Sequence, residues 1–117
     1  MNKLKSPQKE ITVLMILYKE EYEMVCNCLK NIKNFKIIII DNANNLNLKK
    51  KILQDFKIHK YVLNKKNIGF ASAADQGVKI CETTHMLFLT ADCHLTETNI
   101  LLLYEAKKNY DNCLITS

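Results

Sequence analysis

The chain has 117 residues, a length typical of one domain, and 48% of them are hydrophobic while 25% are charged, which is ordinary for a soluble globular protein. No apolar run approaches the length of a membrane span, and the polar, lysine-rich residues 1–10 exclude a signal peptide. The net charge is +5, but all basic residues are lysines. Arginine supplies the fork that reads guanine and clamps phosphate, so we expect no nucleic-acid partner.

The cysteines are odd in number and form no C-x-x-C pair; they are Cys26, Cys28, Cys81, Cys93 and Cys113. Without an export signal, this pattern favours reduced thiols over disulfides. We therefore expect a cytoplasmic protein. A peripheral location at the inner face of the membrane is compatible with this expectation.

Apolar runs alternate with amphipathic stretches along the whole chain. In chain order we predict a strand over Ile11–Leu17, a helix through Tyr22–Ile32, a strand over Ile37–Ile40, a helix around Leu48–Phe56, a strand over Ile58–Leu63, a helix over Phe70–Cys81, a strand over Met86–Leu89, a helix after Thr96 and a strand over Cys113–Thr116. The strands are short, nearly continuous apolar runs, whereas the helices repeat apolar residues at helical spacing. Thr96 is a suitable N-terminal cap for the last helix.

Apolar strands separated by helices predict a mostly parallel sheet covered on both faces, because both faces of each strand must be buried. Right-handed crossovers then give a Rossmann-like, doubly wound α/β/α fold in three layers. We expect a polar tail over residues 1–10 and one domain over residues 11–117, which stops after its fifth strand.

Parallel sheets of this kind bind ligands at the carboxyl ends of their strands. Two of the strand tips carry a carboxylate directly after an apolar strand, Asp41 and Asp92, and the tip after the first strand carries an aromatic residue, Tyr18. Two carboxylates and an aromatic on one edge favour a binding site over turn residues. The glycine-rich fingerprints of nucleotide sites are missing, so a diphosphate would need a metal ion, and Asp92 is the candidate ligand.

The segment Asn67–Gly77, read N-I-G-F-A-S-A-A-D-Q-G, precedes a strand that ends in T-A-D at Asp92. This arrangement resembles family 2 glycosyltransferases, most closely their rhamnosyltransferase-like branch, in which N-x-G-F-A-x-A-x-N-x-G precedes a strand ending in N-P-D or D-x-D. Ile11–Tyr18 and Ile38–Asn42 are similar to the first two strands of that family. The resemblance covers residues 11–117 and implies the nucleotide-sugar-binding half of a GT-A enzyme.

The resemblance implies a role for each strand tip. Tyr18 would border the base of the donor, and Asp41 would accept hydrogen bonds from it, with Asn42 in the same donor site. Asp92 would bind Mg²⁺ or Mn²⁺ together with the diphosphate. The loop after the third strand would lie against the donor through Asn67 and Gly69. A partly buried tyrosine, an Asx turn at Asp41 and an N-terminal cap at Asn67 are the structural alternatives.

Three positions depart from the family pattern, and the motif at Asp92 can also be read in a second register. Thr90 stands where Asp or Asn is usual, which leaves one carboxylate in the motif, although it still borders the expected donor site. In another register Asp92-Cys93-His94 reads as D-x-H, so His94 is a possible second ligand or a solvated loop residue. Asp75 and Lys19 each replace a usual asparagine.

The resemblance implies transfer of a sugar from a nucleoside diphosphate to an acceptor hydroxyl, in cell-envelope glycan synthesis, with a glycan or lipid-linked acceptor. Family members continue well past the fifth strand, so the catalytic base is expected in a C-terminal half beyond Ser117, and activity of this chain alone stays open. A non-catalytic α/β module that binds a nucleotide or a protein is the alternative. A third possibility is a homodimer that covers the edge at Cys113–Thr116.

Overall fold

The computed structural model describes residues 7–108, so the predicted strand over Cys113–Thr116 lies outside the described residues. A short 3-10 helix over Pro7–Glu10 precedes the sheet. The strands are β1 (Ile11–Leu17), β2 (Lys36–Asp41), β3 (Lys60–Leu63) and β4 (His85–Phe88). The helices are α1 (Tyr22–Leu29), α2 (Leu46–Asp55), α3 (Phe70–Ile80) and α4 (Glu97–Lys108).

The four described strands form one parallel sheet in the order β3-β2-β1-β4. The chain first moves outward from β1 through β2 to β3, and it then crosses to the other side of β1 to form β4. This order and the helices on both faces confirm the Rossmann-like, doubly wound α/β fold. The strand order reverses between β1 and β4, which is where folds of this kind open a crevice at the carboxyl ends of the strands.

The central strands explain why the sequence folds in this way. β1 and β2 are apolar along nearly their whole length, and both are buried because helices cover both of their faces. One face carries the main core cluster, to which α1, α2 and α4 contribute. The other face carries a smaller buried cluster of Leu14, Ile38, Ile40 and Ala73, and Ala73 places α3 over it.

Gly77 sets how closely α3 approaches β1. A Cβ atom at this position would lie 2.6 Å from the terminal methyl groups of Leu14, which is itself buried. The absence of a side chain therefore lets the helix pack directly on the strand. The spacing of apolar residues predicts a helix face of Phe70, Ala74, Gly77 and Cys81. The structure confirms Gly77 on the buried face, but the placement of Phe70 is wrong because it is 60% exposed, and Ala73 is buried instead.

The predicted elements are all present within the described residues, with small shifts at their ends. The third strand begins at Lys60 and not at Ile58, although the His59 amide already donates to the Ile37 carbonyl at 2.8 Å. The fourth strand is one residue earlier than predicted, although the Leu89 amide still donates to the Leu14 carbonyl at 2.9 Å. Thr96 caps α4 as expected, since its Oγ1 accepts from the Asn99 amide at 3.2 Å.

The end of the predicted polar tail packs against α4. Gln8 Nε2 donates to Glu97 at 2.6 Å, and the Tyr104 hydroxyl donates to Glu10 at 3.0 Å. The domain boundary at residue 10 stays a prediction. None of the described helices is both long and apolar enough to cross a membrane.

Candidate functional site

The predicted site residues lie along the carboxyl edge of the sheet. Leu17 pairs with Asp41, and Asp41 pairs with Leu63, so the residues that follow these three strands start at one level. β4 ends three residues short of this level, because its last residue, Phe88, pairs with Leu14 of β1 and not with Leu17. The loop after β4 follows on the side of the carboxyl edge. Tyr18 and the loop with Thr90 and Asp92 thus flank the crevice where the strand order reverses.

Tyr18 presents an aromatic ring to solvent at the end of β1. Its side chain is 45% exposed, and Lys19 Nζ lies 5.0 Å from the ring centroid. Lys19 has a positive φ of 68°, which turns the chain away from the strand, and the Tyr18 amide donates to the Glu20 carboxylate. A flat, exposed ring with a cation over it can exchange that cation for a heterocyclic base by stacking.

Asp41 is buried, and it holds its own loop in place. Its carboxylate accepts from the Ala43 amide at 2.8 Å and from the Asn45 amide at 3.3 Å. The Tyr61 hydroxyl also lies within 3.4 Å of Asp41 Oδ2, and burial followed by the charge of Asp41 raises the pKa of that hydroxyl, so it stays a donor. The Asx turn, the structural alternative for Asp41, is therefore present.

The turn that Asp41 holds shapes an open groove of about 490 Å³ at the start of α2. Asn45 caps this helix by accepting from the Leu48 amide at 3.0 Å, and Asn44 adopts a positive φ of 53°. The groove is lined by Lys19, Ala43, Asn44, Asn45, Leu46 and Asn47. Amides, backbone groups and one lysine give this lining the donors and acceptors that the edges of a base or a ribose require.

A network of side-chain amides joins the tips of β2 and β3 to α3. Asn64 and Gln76 donate to each other at 2.8 and 2.9 Å, and Asn64 also donates to Asn42 Oδ1 at 2.8 Å. Asn42 in turn donates to the Gly69 carbonyl at 3.3 Å. Asn42 is buried, so its side chain contacts Asn64 and the Gly69 carbonyl and does not face solvent.

The loop before α3 leaves open space beside Gly69. Gly69 has a φ of 87°, and a Cβ atom built there would meet no atom within 4 Å. The Gly69 amide donates to Asn67 Oδ1 at 2.8 Å, while Gly69 itself occupies the N-cap position of α3. Asn67 is thus an Asx-turn residue two positions before the N-cap residue. The alternative of Asn67 as the helix cap is wrong, because Gly69 occupies that position.

Asp92 stands exposed on the loop after β4. Its Oδ1 accepts from Thr90 Oγ1 at 2.7 Å, and His94 is exposed on the same loop. Across residues 7–108 no three His, Cys, Asp or Glu side chains come together in a way that could hold a metal ion. One exposed carboxylate with a hydroxyl beside it fits an ion that takes its other ligands from phosphate and water, which is how Mg²⁺ is usually held.

Cys28 lies beneath this loop, in the core face of α1. Its Sγ lies 3.9 Å from the Thr90 carbonyl, which also accepts from the Cys93 amide at 3.0 Å. Burial, followed by the nearby Cys93 and Asp92, raises the pKa of the Cys28 thiol from 9.0 to about 11. The four cysteines within the described residues are free thiols, as predicted.

We expect the protein to lose stability as the pH rises from about 9 to about 11, where the Cys28 thiol ionises in the unfolded chain but resists ionisation in the folded one. The folded state binds this proton more tightly, so the contribution is complete below pH 9 and is lost above pH 11. Urea unfolding across this range measures the decline. In Cys28→Ala the decline should be shallower, and equal slopes in both proteins would contradict the assignment.

Sequence reasoning missed four residues that build the site: Asn64, Gln76, Tyr61 and Asn45. Asn64 follows directly after a predicted strand, so its position at the edge was a usable signal. Gln76 offered none, because its pairing depends on how closely α3 packs on the sheet. Tyr61 lies inside a strand, and only the register of β3 against β2 shows that its hydroxyl reaches Asp41.

Comparison with known proteins identifies a family for this chain. The model of the family described as Glycosyl transferase family 2 matches residues 12–116, which is nearly the whole chain. Among curated proteins none matches this chain. The matched range contains every strand tip described above, and it covers much more than half of the chain. The chain therefore belongs to glycosyl transferase family 2.

Proposed function

We propose that this chain binds a nucleoside-diphosphate sugar at the carboxyl edge of its sheet and so supplies the donor side of a glycosyl transfer. Membership of the family implies such a donor and an acceptor. The observation that carries the proposal is that exposed Tyr18 follows β1 and exposed Asp92 lies on the loop after the paired strand β4, so both belong to the carboxyl edge of the sheet. A nucleotide carries its base at one end and its diphosphate at the other, so one ligand would engage both residues.

In the proposed complex the base stacks on Tyr18 and its edge meets the groove beside the Asp41 turn. Asp41 has both carboxylate oxygens engaged by its own loop and by Tyr61, so its first role is to hold the groove in shape. The Gly69 loop closes against the donor where the space beside its Cα is open. Thr90 holds the Asp92 carboxylate through its hydroxyl and lies next to the ribose or the diphosphate.

A divalent ion, Mg²⁺ or Mn²⁺, would be held by Asp92 together with the oxygens of the diphosphate. When bound, it neutralises negative charge on the departing nucleoside diphosphate. His94 is a second ligand in the D-x-H register, and Mn²⁺ accepts an imidazole more readily than Mg²⁺ does. No residue of this chain is assigned as the base that would deprotonate the acceptor hydroxyl.

The resemblance of Asn67–Gly77 to the rhamnosyltransferase-like branch supports a finer proposal, in which the acceptor is a glycan or a lipid-linked hydroxyl of cell-envelope synthesis. The proposed homodimer depends on Cys113–Thr116, outside the described residues, and light scattering tests it. Neither the acceptor class nor the homodimer affects the proposal of donor binding, and each is tested by its own experiment.

Calorimetric titration with uridine, thymidine, guanosine and adenosine diphosphates, each with and without Mn²⁺, tests the function. We expect one of them to bind and its affinity to rise with the metal, because Asp92 and the diphosphate share the ion. If none binds with or without Mn²⁺, the non-catalytic α/β module becomes the better description. If binding is unaffected by the metal, the donor site survives and the metal role of Asp92 fails.

A further inference from the structure

The positive charge of this chain is concentrated in one short segment. Residues 49–66 contain a single acidic residue, Asp55, and seven lysines, namely Lys49, Lys50, Lys51, Lys57, Lys60, Lys65 and Lys66. In the rest of the chain acidic residues slightly outnumber lysines. A general excess of lysine would spread over the sequence, so composition alone does not account for this clustering.

The fold places this segment along one side of the molecule. It runs through α2 and then along β3, which is the outermost strand on its side of the described sheet, and it ends in the loop before α3. Lys49 Nζ lies 5.7 Å from the ring centroid of Tyr61, which ties the helix to that strand. Lys50, Lys57 and Lys66 are exposed. We call this surface, formed by the seven lysines, the basic side.

Within residues 7–108 the charges of the basic side are not neutralised by ion pairs. In the described part of the chain, ion pairs are made by Lys36, His59 and Lys79, and none by a lysine of the basic side. Asp55, the one acidic residue of the segment, already accepts a hydrogen bond from the Tyr22 hydroxyl, and Glu82 lies 2.9 Å from His59 Nε2. A cluster of unpaired cations attracts an anionic partner and repels a second copy of the same surface.

Two leucines stand among these lysines on the outer face of α2. Leu48 and Ile52 turn inward, while Leu46, Lys50 and Leu53 follow one another at helical spacing on the opposite side. Leu46 is 50% exposed and Leu53 is 44% exposed. Apolar residues at the centre of a charged face are unfavourable when that face is only solvated. In a helix that lies in a membrane interface, such residues are buried in the lipid while the lysines beside them extend to the head groups.

We propose that the basic side docks on a bilayer that contains anionic phospholipid, with Leu53 entering the interface and the lysines contacting head-group phosphates. Lysine-only clusters suit this partner, because phosphate attraction at a membrane surface needs charge but no bidentate geometry. Nucleic acid is the other polyanion, and the lack of arginine disfavours it. This inference does not depend on donor binding, so vesicle binding and nucleotide titration fail independently.

The test is co-sedimentation of the whole chain with vesicles of phosphatidylcholine, alone or mixed with one third phosphatidylglycerol. We expect binding to the mixed vesicles only, and we expect it to weaken with salt because exposed charges are screened. The variant K49Q/K50Q/K51Q should bind on the order of 100-fold more weakly, since each lysine near an anionic surface contributes about a factor of five.

The matched control is K9Q/K30Q/K33Q, which removes the same charge from exposed lysines elsewhere on the described chain. It should bind nearly as well as the unchanged protein. Leu53→Asn should weaken binding several-fold, whereas Leu102→Asn, at a leucine of α4 that is 64% exposed, should not. Circular dichroism confirms that each variant is folded.

Three outcomes would overturn the proposal. Equal losses in the two lysine triples would mean that net charge and not the basic side governs binding. Equal binding to neutral and anionic vesicles would remove the electrostatic argument. Tighter binding to a duplex oligonucleotide than to anionic vesicles, lost in K49Q/K50Q/K51Q, would assign the surface to nucleic acid instead.

Discussion

Replacing Asp92 with alanine is expected to abolish metal-dependent binding of a nucleoside diphosphate while leaving the fold intact. Asp92 is exposed, and the one side chain within the described residues that bonds to it is Thr90. The free energy of unfolding should therefore change by no more than about 1 kcal/mol. Calorimetric titration with and without Mn²⁺, beside urea unfolding, measures both parts of the prediction.

Two further variants make this result specific. Asp92→Glu keeps a carboxylate and should retain part of the metal-dependent affinity, whereas Asp92→Asn should behave like alanine. Asp75→Asn removes an exposed carboxylate from α3, where it pairs with Lys79, and should leave metal-dependent binding unchanged. Full metal-dependent affinity in Asp92→Ala would refute the metal assignment.

Replacing Asp41 with asparagine is expected to lower both stability and nucleotide affinity. The carboxylate accepts from two backbone amides and lies near the Tyr61 hydroxyl, and an asparagine would turn one of its acceptor oxygens into a donor. Leaving a buried donor without its acceptor costs about 1–3 kcal/mol, and we expect that loss in the free energy of unfolding. Nucleotide binding should weaken by on the order of 1–3 kcal/mol, because the groove beside the turn loses its shape.

Tyr61→Phe separates the two effects of Asp41. It removes the hydroxyl donor but leaves the carboxylate and its two amide bonds, so stability should change less than in Asp41→Asn. Titration with a nucleoside in the absence of metal then reports on the base site alone. If Asp41→Asn binds that nucleoside as well as the unchanged protein does, Asp41 is a turn residue and takes no part in base binding.

The order of elements was predictable because strands and helices here differ so clearly in pattern. β1 was predicted with its observed ends, since its seven residues are apolar except for Thr12 and so predict one buried strand. β3 was the least accurate, because His59 and Lys60 interrupt its apolar pattern, as expected for the outermost strand on that side of the described sheet. Topology followed from the handedness of the crossovers and was confirmed.

The candidate site was predictable as a place but not in its internal contacts. Strand tips can be read from sequence, so Tyr18, Asp41 and Asp92 were all placed at the correct edge. Some of these side chains form hydrogen bonds within the protein and are then not free to contact a ligand. Which ones do so depends on distances between neighbouring strands, and the sequence does not show these distances. Asn42 illustrates this, since the pairing of β2 with β3 brings Asn64 onto it and buries it.

Among the described helices, α3 alone covers its face of the sheet. This arrangement determines which part of the protein unfolds locally most easily. The cluster beneath α3 is much smaller than the one shared by α1, α2 and α4, so α3 needs less free energy to detach than the rest of the domain. Its first turn also carries the Gly69 loop against which a donor would rest. Backbone amides of α3 should therefore exchange with deuterium ahead of those of β1, and a bound nucleotide should slow that exchange because the open form cannot hold it.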